Sequence, residues 1–350
     1  MTAERATGAR MRRWIKVSVT AAAVLGLGGW IAQPYVHQWW LLRTACDGVL
    51  PDDAVRDLLP DDSRVVGTES GGVKALGDHG CSVSVTSDHS ADWRLLSLHA
   101  YTRRDDQDRE FMSAFPESGF AAQAALPEGL PGFITRSGAL DFLLPCPDLG
   151  RDADGRQRTM LVRAGISDNA PWRQPASYEV AVAFVNSASK RLGCGAKPLT
   201  APKGVSPAHP EEDDRKRVSL AAARDTACGW LAGAGLPDPT HWKVDAQLND
   251  AAPTGFCDVT LGDGLADGGS AGMDFVAWFG DWSTRLVSGD DIVRPSLTAS
   301  ARCAGEAAHF ALDAAKDVPG VDQAKKRALL QAFAAEQVKR RGCTDLSMGG

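Results

Sequence analysis

The chain carries eight cysteines, and they fall into two quartets set in repeated surroundings. Thr44-Ala45-Cys46 recurs as Thr226-Ala227-Cys228. The stretch from Ala183-Phe184 to Lys190-Arg191-Leu192-Gly193-Cys194 recurs as Ala332-Phe333 to Lys339-Arg340-Arg341-Gly342-Cys343, a shared A-F-x5-K-R-x-G-C. Cys81 and Cys146 lie between these ends in the first half, Cys257 and Cys303 in the second. An even count in each half reads as a disulfide framework built in an oxidising compartment. At 350 residues the chain exceeds one ordinary domain. The closing segments recur 149 residues apart and the opening Thr-Ala-Cys 182 apart, a period near 150 or above that signals a duplicated domain and not a solenoid.

Upstream of the first quartet, residues 14–32 read WIKVSVTAAAVLGLGGWIA, with Lys16 as the one charge, at the edge. About 20 apolar residues span a bilayer, and a lysine so near the end can snorkel. Trp14 on one side and Trp30, Tyr35, Trp39 and Trp40 on the other match interfacial aromatic belts. Arg5, Arg10, Arg12, Arg13 and Lys16 stand at the N-terminal side against Glu4 alone. The positive-inside bias then places the tail, residues 1–13, in the cytoplasm and the C-terminal domains outside. The expectation is a single-pass, uncleaved anchor in the plasma membrane; a cleaved signal peptide, with Gly26-Leu27-Gly28 as its small-residue stretch, is the alternative. Without that basic flank the remainder is more acidic than the net charge of −6 for the whole chain, which argues against nucleic acid as a partner.

Each half reads as α+β. Residues 43–198 form the first expected domain and 218–345 the second, joined by a linker at 199–217 rich in proline and charge. A short helix opens the first half after Asp52-Asp53, and a longer one, 218–231, is expected in the second. Cys81-Ser82-Val83-Ser84-Val85 and Cys257-Asp258-Val259-Thr260-Leu261 alternate as half-buried strands. Further strands are expected at 93–101, 142–144 and 159–164, and at 273–279 and 307–312. Each half closes with a helix, 178–192 or 323–341, that ends in Gly-Cys with basic residues in its last turn. Ala183, Phe184 and Ala188 are placed on the buried side of the first of these. The expected architecture is an antiparallel sheet in each half with helices packed on one face.

Four cysteines allow three connectivities, and spacing does not choose among them. Sequential pairing is the geometric expectation: Cys46–Cys81, Cys146–Cys194, Cys228–Cys257 and Cys303–Cys343. Each such bridge ties a helical element to the sheet it covers.

The opening T-A-C, the strand-leading cysteine and the closing R-x-G-C resemble the small extracytoplasmic modules of actinobacterial lipoproteins and envelope proteins of unknown function. The resemblance spans both halves and implies an envelope location. The chain departs from the lipoprotein members in lacking a lipobox, and the resemblance brings no catalytic residue with it.

Reactive constellations are sparse. His79 lies two residues from Cys81, so an extended strand would put imidazole and thiol on one side, but the matching Cys257 has no histidine and a disulfide is the expected state. Asp152-Ala153-Asp154-Gly155 resembles the middle of an EF-hand loop, yet Gly150 and Leu161 occupy positions that need carboxylates, so a surface turn is expected. The seven histidines show no metal-ligand spacing, and neither a metal nor an organic cofactor is expected. Trp230, Trp242, Trp278 and Trp282 could stack on sugar rings or a peptide if exposed; as core they would pack with Phe275 and Phe279, the latter being the expected state. The functional expectation is a noncatalytic module that binds a ligand, another envelope protein or a cell-wall component. The alternative is an envelope hydrolase or redox enzyme with a dispersed site.

Overall fold

The structure, a computed structural model, describes residues 36–87, 90–114, 123–135, 138–207, 217–248, 253–262, 272–284, 297–314 and 317–349. It contains two seven-stranded antiparallel sheets. Sheet one comprises β1 (Ser63–Gly71), β2 (Asp78–Ser87), β3 (Ser90–Tyr101), β4 (Gln123–Ala125), β5 (Gly132–Thr135), β6 (Leu140–Pro145) and β7 (Thr159–Ile166), in the order β1-β2-β3-β7-β6-β5-β4. Sheet two comprises β8 (Val218–Ser219), β9 (Trp242–Leu248), β10 (Thr254–Leu261), β11 (Gly272–Phe279), β12 (Leu297–Cys303), β13 (Glu306–Ala314) and β14 (Thr344–Met348). Its order, β8-β9-β10-β11-β13-β12-β14 read from one edge, repeats the first along five strands. β1-β2-β3-β7-β6 corresponds to β9-β10-β11-β13-β12, with Cys81 and Cys257 on the second strand and Cys146 and Cys303 at the end of the fifth.

The helices are α1 (Asp52–Asp57), α2 (Arg104–Ala114), α3 (Pro175–Leu192) and α4 (Gln323–Arg341), and residues 36–44 are also helical. Proline at its start suits α3, because the first N–H of a helix has no intrahelical partner. Gly193, left-handed at φ 71°, ends it. Asp322 caps α4 by accepting the Lys325 backbone N–H at 2.7 Å, and left-handed Gly342 ends that helix. α3 lies over β2, β3 and β7; α4 lies over β11, β12 and β13. Phe184 and Ala188 are buried against sheet one, but Ala183 is only half-buried and faces outward.

Three local expectations are corrected. No helix runs over 218–231: Val218 and Ser219 pair with Val244 and Lys243, and two short 3-10 turns follow, Ala222–Asp225 and Gly229–Gly233. Thr226 breaks the helix by donating its hydroxyl to the Ala223 carbonyl at 2.7 Å and accepting the Cys228 N–H. The segment read as a linker from 199 is bound to the first half: Leu199, Ala201 and Val205 pack on its core, and Asn186 holds both the N–H and the carbonyl of Leu199. Helices also do not all cover one face, since α2 lies on the side of sheet one opposite α3, carrying Phe111 into a separate cluster.

Four cysteine pairs stand at bonding distance in the sequential pattern: Cys46–Cys81, Cys146–Cys194, Cys228–Cys257 and Cys303–Cys343, with Cα separations of 5.4, 4.3, 6.0 and 4.1 Å. No cysteine is free. The apolar run at 14–32 lies outside the described residues, and among those described no helix is long and apolar enough to cross a membrane.

Candidate functional site

Successive side chains of a strand point to opposite faces, and in both sheets the face away from the long helix is also buried. From sheet one and α2 come Phe133, Leu161 and Phe111; from sheet two and its β11 turn come Val276, Trp278, Ala311 and Trp282. They form one apolar seam between the halves, with Phe111 and Trp282 in ring contact at 5.4 Å. Ion pairs border it. Arg156 reaches Asp281 at 3.0 Å, Glu306 at 3.7 Å and the Gly305 carbonyl at 3.1 Å, and Arg104 pairs with Glu306 and, at 3.5 Å, with Asp152. The layers run α3, sheet one, seam, sheet two, α4. Duplicated halves therefore close on each other and leave no cleft where the seam is filled.

A polar file crosses sheet one on the seam side. His99, Arg163 and Asp141 stand directly opposite one another on β3, β7 and β6, and α2 lowers Glu110 onto them, 2.9 Å from Arg163. Desolvation dominates its protonation. The Asp141 carboxyl is pushed up to about 7 by burial, with Arg163 pulling down and Glu110 pushing up. Tyr101 is pushed up to about 12 by burial and the neighbouring acids, Glu110 foremost. Burial holds the His99 imidazole below its usual value.

Asp141 accepts no hydrogen bond from the described residues; Arg163 is its nearest cation, at 3.9 Å. Its folded pKa exceeds the ordinary 3.8, so the folded state favours the protonated acid. Stability linked to it is complete below that ordinary value and is lost as pH rises towards about 7. Asp141→Asn is expected to stabilise the protein by on the order of 2 kcal/mol above neutrality and to do nothing measurable near pH 4. Urea titrations at the two pH values check this; an equal effect at both, or destabilisation at pH 8, refutes it.

Sheet two carries a different file. Asp245, Asp258, Asp274 and Asp313 stand directly opposite one another on β9, β10, β11 and β13. Like charges so placed repel, and the Arg217 guanidinium stands 3.8 Å from Asp258. Among the described residues no group of three His, Cys, Asp or Glu side chains is arranged to hold a metal ion.

One serine–histidine pair escaped the sequence reading because its members lie on separate elements. Ser283 Oγ is 2.8 Å from His309 Nδ1, and the serine hydroxyl donates to the Gly280 carbonyl at 2.6 Å. The hydroxyl thus has a backbone carbonyl as well as the imidazole within hydrogen-bonding reach. Ser283 is fully buried, and His309 is depressed by desolvation with no carboxylate among the causes. Among the described residues no carboxylate perturbs His309 as the third group of a nucleophilic triad would.

The residues singled out in the sequence are used structurally. Cys81 is bonded to Cys46, and His79 is stacked on Phe184 at 5.5 Å. Asp152 Oδ1 accepts the N–H groups of Arg156 and Asp154, closing a tight turn that also presents Arg156 to the seam. Trp242 is buried, donating to the Pro237 carbonyl at 2.5 Å; Trp278 and Trp282 sit in the seam; Trp230 packs its ring on Phe275 and Phe333. Phe275 is core, and half-buried Phe279 lies under the Arg341 guanidinium at 3.7 Å. Trp242, Trp278 and Trp282 are buried, and Trp230 is half-buried.

An open groove of about 600 Å³ runs along the outer side of α3 beside the Cys146–Cys194 bridge. Past the bridge the chain folds back along the helix. Left-handed Gly195 (φ 70°) permits the return, and a Cβ there would fall 2.2 Å from the Asp148 carboxyl carbon. Asp148, Asn186, Ser187, Ser189 and Lys190 line the groove together with Ala183, Ala196 and Pro198, giving one anion, one cation, two hydroxyls and an amide beside apolar groups. Such a set suits a hydrogen-bonding or zwitterionic guest. A second cavity, about 560 Å³, lies at the start of α4 around Asp317, Asp322 and Lys326.

No protein-family model, curated protein or solved structure matches this chain.

Proposed function

We propose that this chain is a membrane-anchored, extracytoplasmic envelope protein, a noncatalytic tandem module that binds a polar ligand or another envelope component. The observation that carries the reading is the groove beside the Cys146–Cys194 bridge, open and lined by both apolar groups and the polar Asp148, Ser187 and Lys190, on a body whose halves are closed against each other. The four bridges fit an oxidising compartment, the apolar run at 14–32 supplies the anchor, and the acidic remainder disfavours nucleic acid. The reactive candidates are occupied elsewhere: the cysteines in bridges, Ser283 on a carbonyl, Asp152 in a turn.

A photoreactive residue in place of half-buried Ser187, carried by the full chain in its native membrane, tests the groove. A discrete light-dependent adduct is expected, reduced severalfold when Lys190→Glu is added. A folded protein giving no adduct above the dark control refutes groove binding. The alternative, an envelope hydrolase, draws on the Ser283–His309 contact; turnover abolished by Ser283→Ala in a stably folded variant would favour it over binding.

A further inference from the structure

Residues 36–44 form a helix with two distinct faces. Leu41, Leu42 and Ala45 are buried in the core of the first half, and the next residue, Cys46, is bridged to β2. The helix is thus part of the folded body and not a tether. Its other stripe, at the i, i+3, i+4, i+7 spacing of one helical face, is Val36, Trp39, Trp40 and Arg43. Val36 is 59% exposed, Trp39 50% and Trp40 55%. Two half-exposed indoles side by side are an expensive surface to leave in water. Arg43 lies over the Trp39 ring at 4.8 Å and pairs with Asp52 at 3.8 Å, which places a cation at the rim of this stripe.

The chain itself names the occupant. In the sequence the apolar run ends at Ala32, four positions before Val36, the first described residue of the helix. Tryptophan, with an apolar body and one polar N–H, favours the headgroup level of a bilayer, and amphipathic helices with a Trp face and flanking cations lie in that plane.

We infer that helix 36–44 is an interfacial collar: its Val36–Trp39–Trp40 stripe seats in the lipid headgroup layer and mounts the first half on the membrane at a fixed orientation. This rests on the anchored reading proposed above. The occupant is the bilayer surface at the exit of the chain's own anchor. A fixed mount also determines which faces of the module point away from the membrane, the α3 groove among them.

The test uses the full chain reconstituted into vesicles whose lipids carry bromine at a shallow acyl position, compared with Trp39→Ser/Trp40→Ser. Alkaline carbonate extraction is run in parallel on native membranes. Carbonate resistance, with a clear loss of shallow-bromine quenching in the double variant and an unchanged melting temperature, supports the collar. Resistance with identical quenching in both proteins overturns the collar and leaves the anchor standing. Release of the wild-type chain by carbonate overturns both.

Discussion

Replacing Cys146 and Cys194 together by serine is expected to lower the unfolding free energy of the first half by about 4 kcal/mol. The bridge joins residues 48 apart in sequence, and removing it restores the corresponding loop entropy to the unfolded chain. Both sulfurs belong to fully buried residues, so the two new hydroxyls add desolvation cost. Four kcal/mol is a large fraction of the 5–15 kcal/mol typical of a folded domain, by order of magnitude about a third. The corresponding change at Cys228–Cys257, separated by 29 residues, should cost roughly 0.5 kcal/mol less. Denaturant titration of the nonreduced proteins measures both. A loss below about 1 kcal/mol at Cys146–Cys194 would show that the bridge adds little to a core that already holds its ends.

Trp282→Ala should cost about 3–5 kcal/mol, the usual range for deleting a buried tryptophan. The indole is buried in the seam against Phe111 and donates to the Phe279 carbonyl at 2.9 Å. Its loss therefore removes apolar contact between the halves as well as within the second. The wild type is expected to unfold in one calorimetric transition, because seam and border ion pairs couple the two cores. The variant is expected to show two, the second half melting first. A single transition shifted to lower temperature would mean that the remaining seam residues and the Arg104 and Arg156 contacts suffice for coupling.

Arg156 depends on the same design. It is held by the turn at Asp152 and reaches across to Asp281 and Glu306, so a stretch that reads as a mere loop supplies a principal polar tie between the halves. Neighbouring exposed pairs, such as Arg109–Asp106 at 3.1 Å, add little, since surface ion pairs are screened and entropically costly.

What the chain shows by itself is local and periodic. The closing helices α3 and α4 follow from apolar spacing, basic last turns and a terminal Gly-Cys, and the structure places them at 175–192 and 323–341. The strands through Cys81 and Cys257 follow from alternation, and sequential pairing of the cysteines follows from having a helical element and a strand at each pair. β1 was not legible, because an edge strand, SRVVGTESG, buries little and lacks alternation. Helix α2 was not legible either: RDDQDREFMSA is polar, and only Gln107 and Phe111 among its described side chains are buried. One signal of the seam was present, the unbroken apolar run Phe275 to Phe279, which marks a strand covered on both faces.

Only tertiary structure decided what covers that second face. The seam is assembled from residues as distant as Phe111 and Trp282, and no periodicity within one element encodes a partner 171 positions away. The same holds for the files His99–Arg163–Asp141 and Asp245–Asp258–Asp274–Asp313, which exist through strand register. It holds for the α3 groove, formed when the chain folds back past Gly195. Short-range patterns set which residues turn inward; long-range docking, which pays its loop entropy before any contact repays it, sets what they meet.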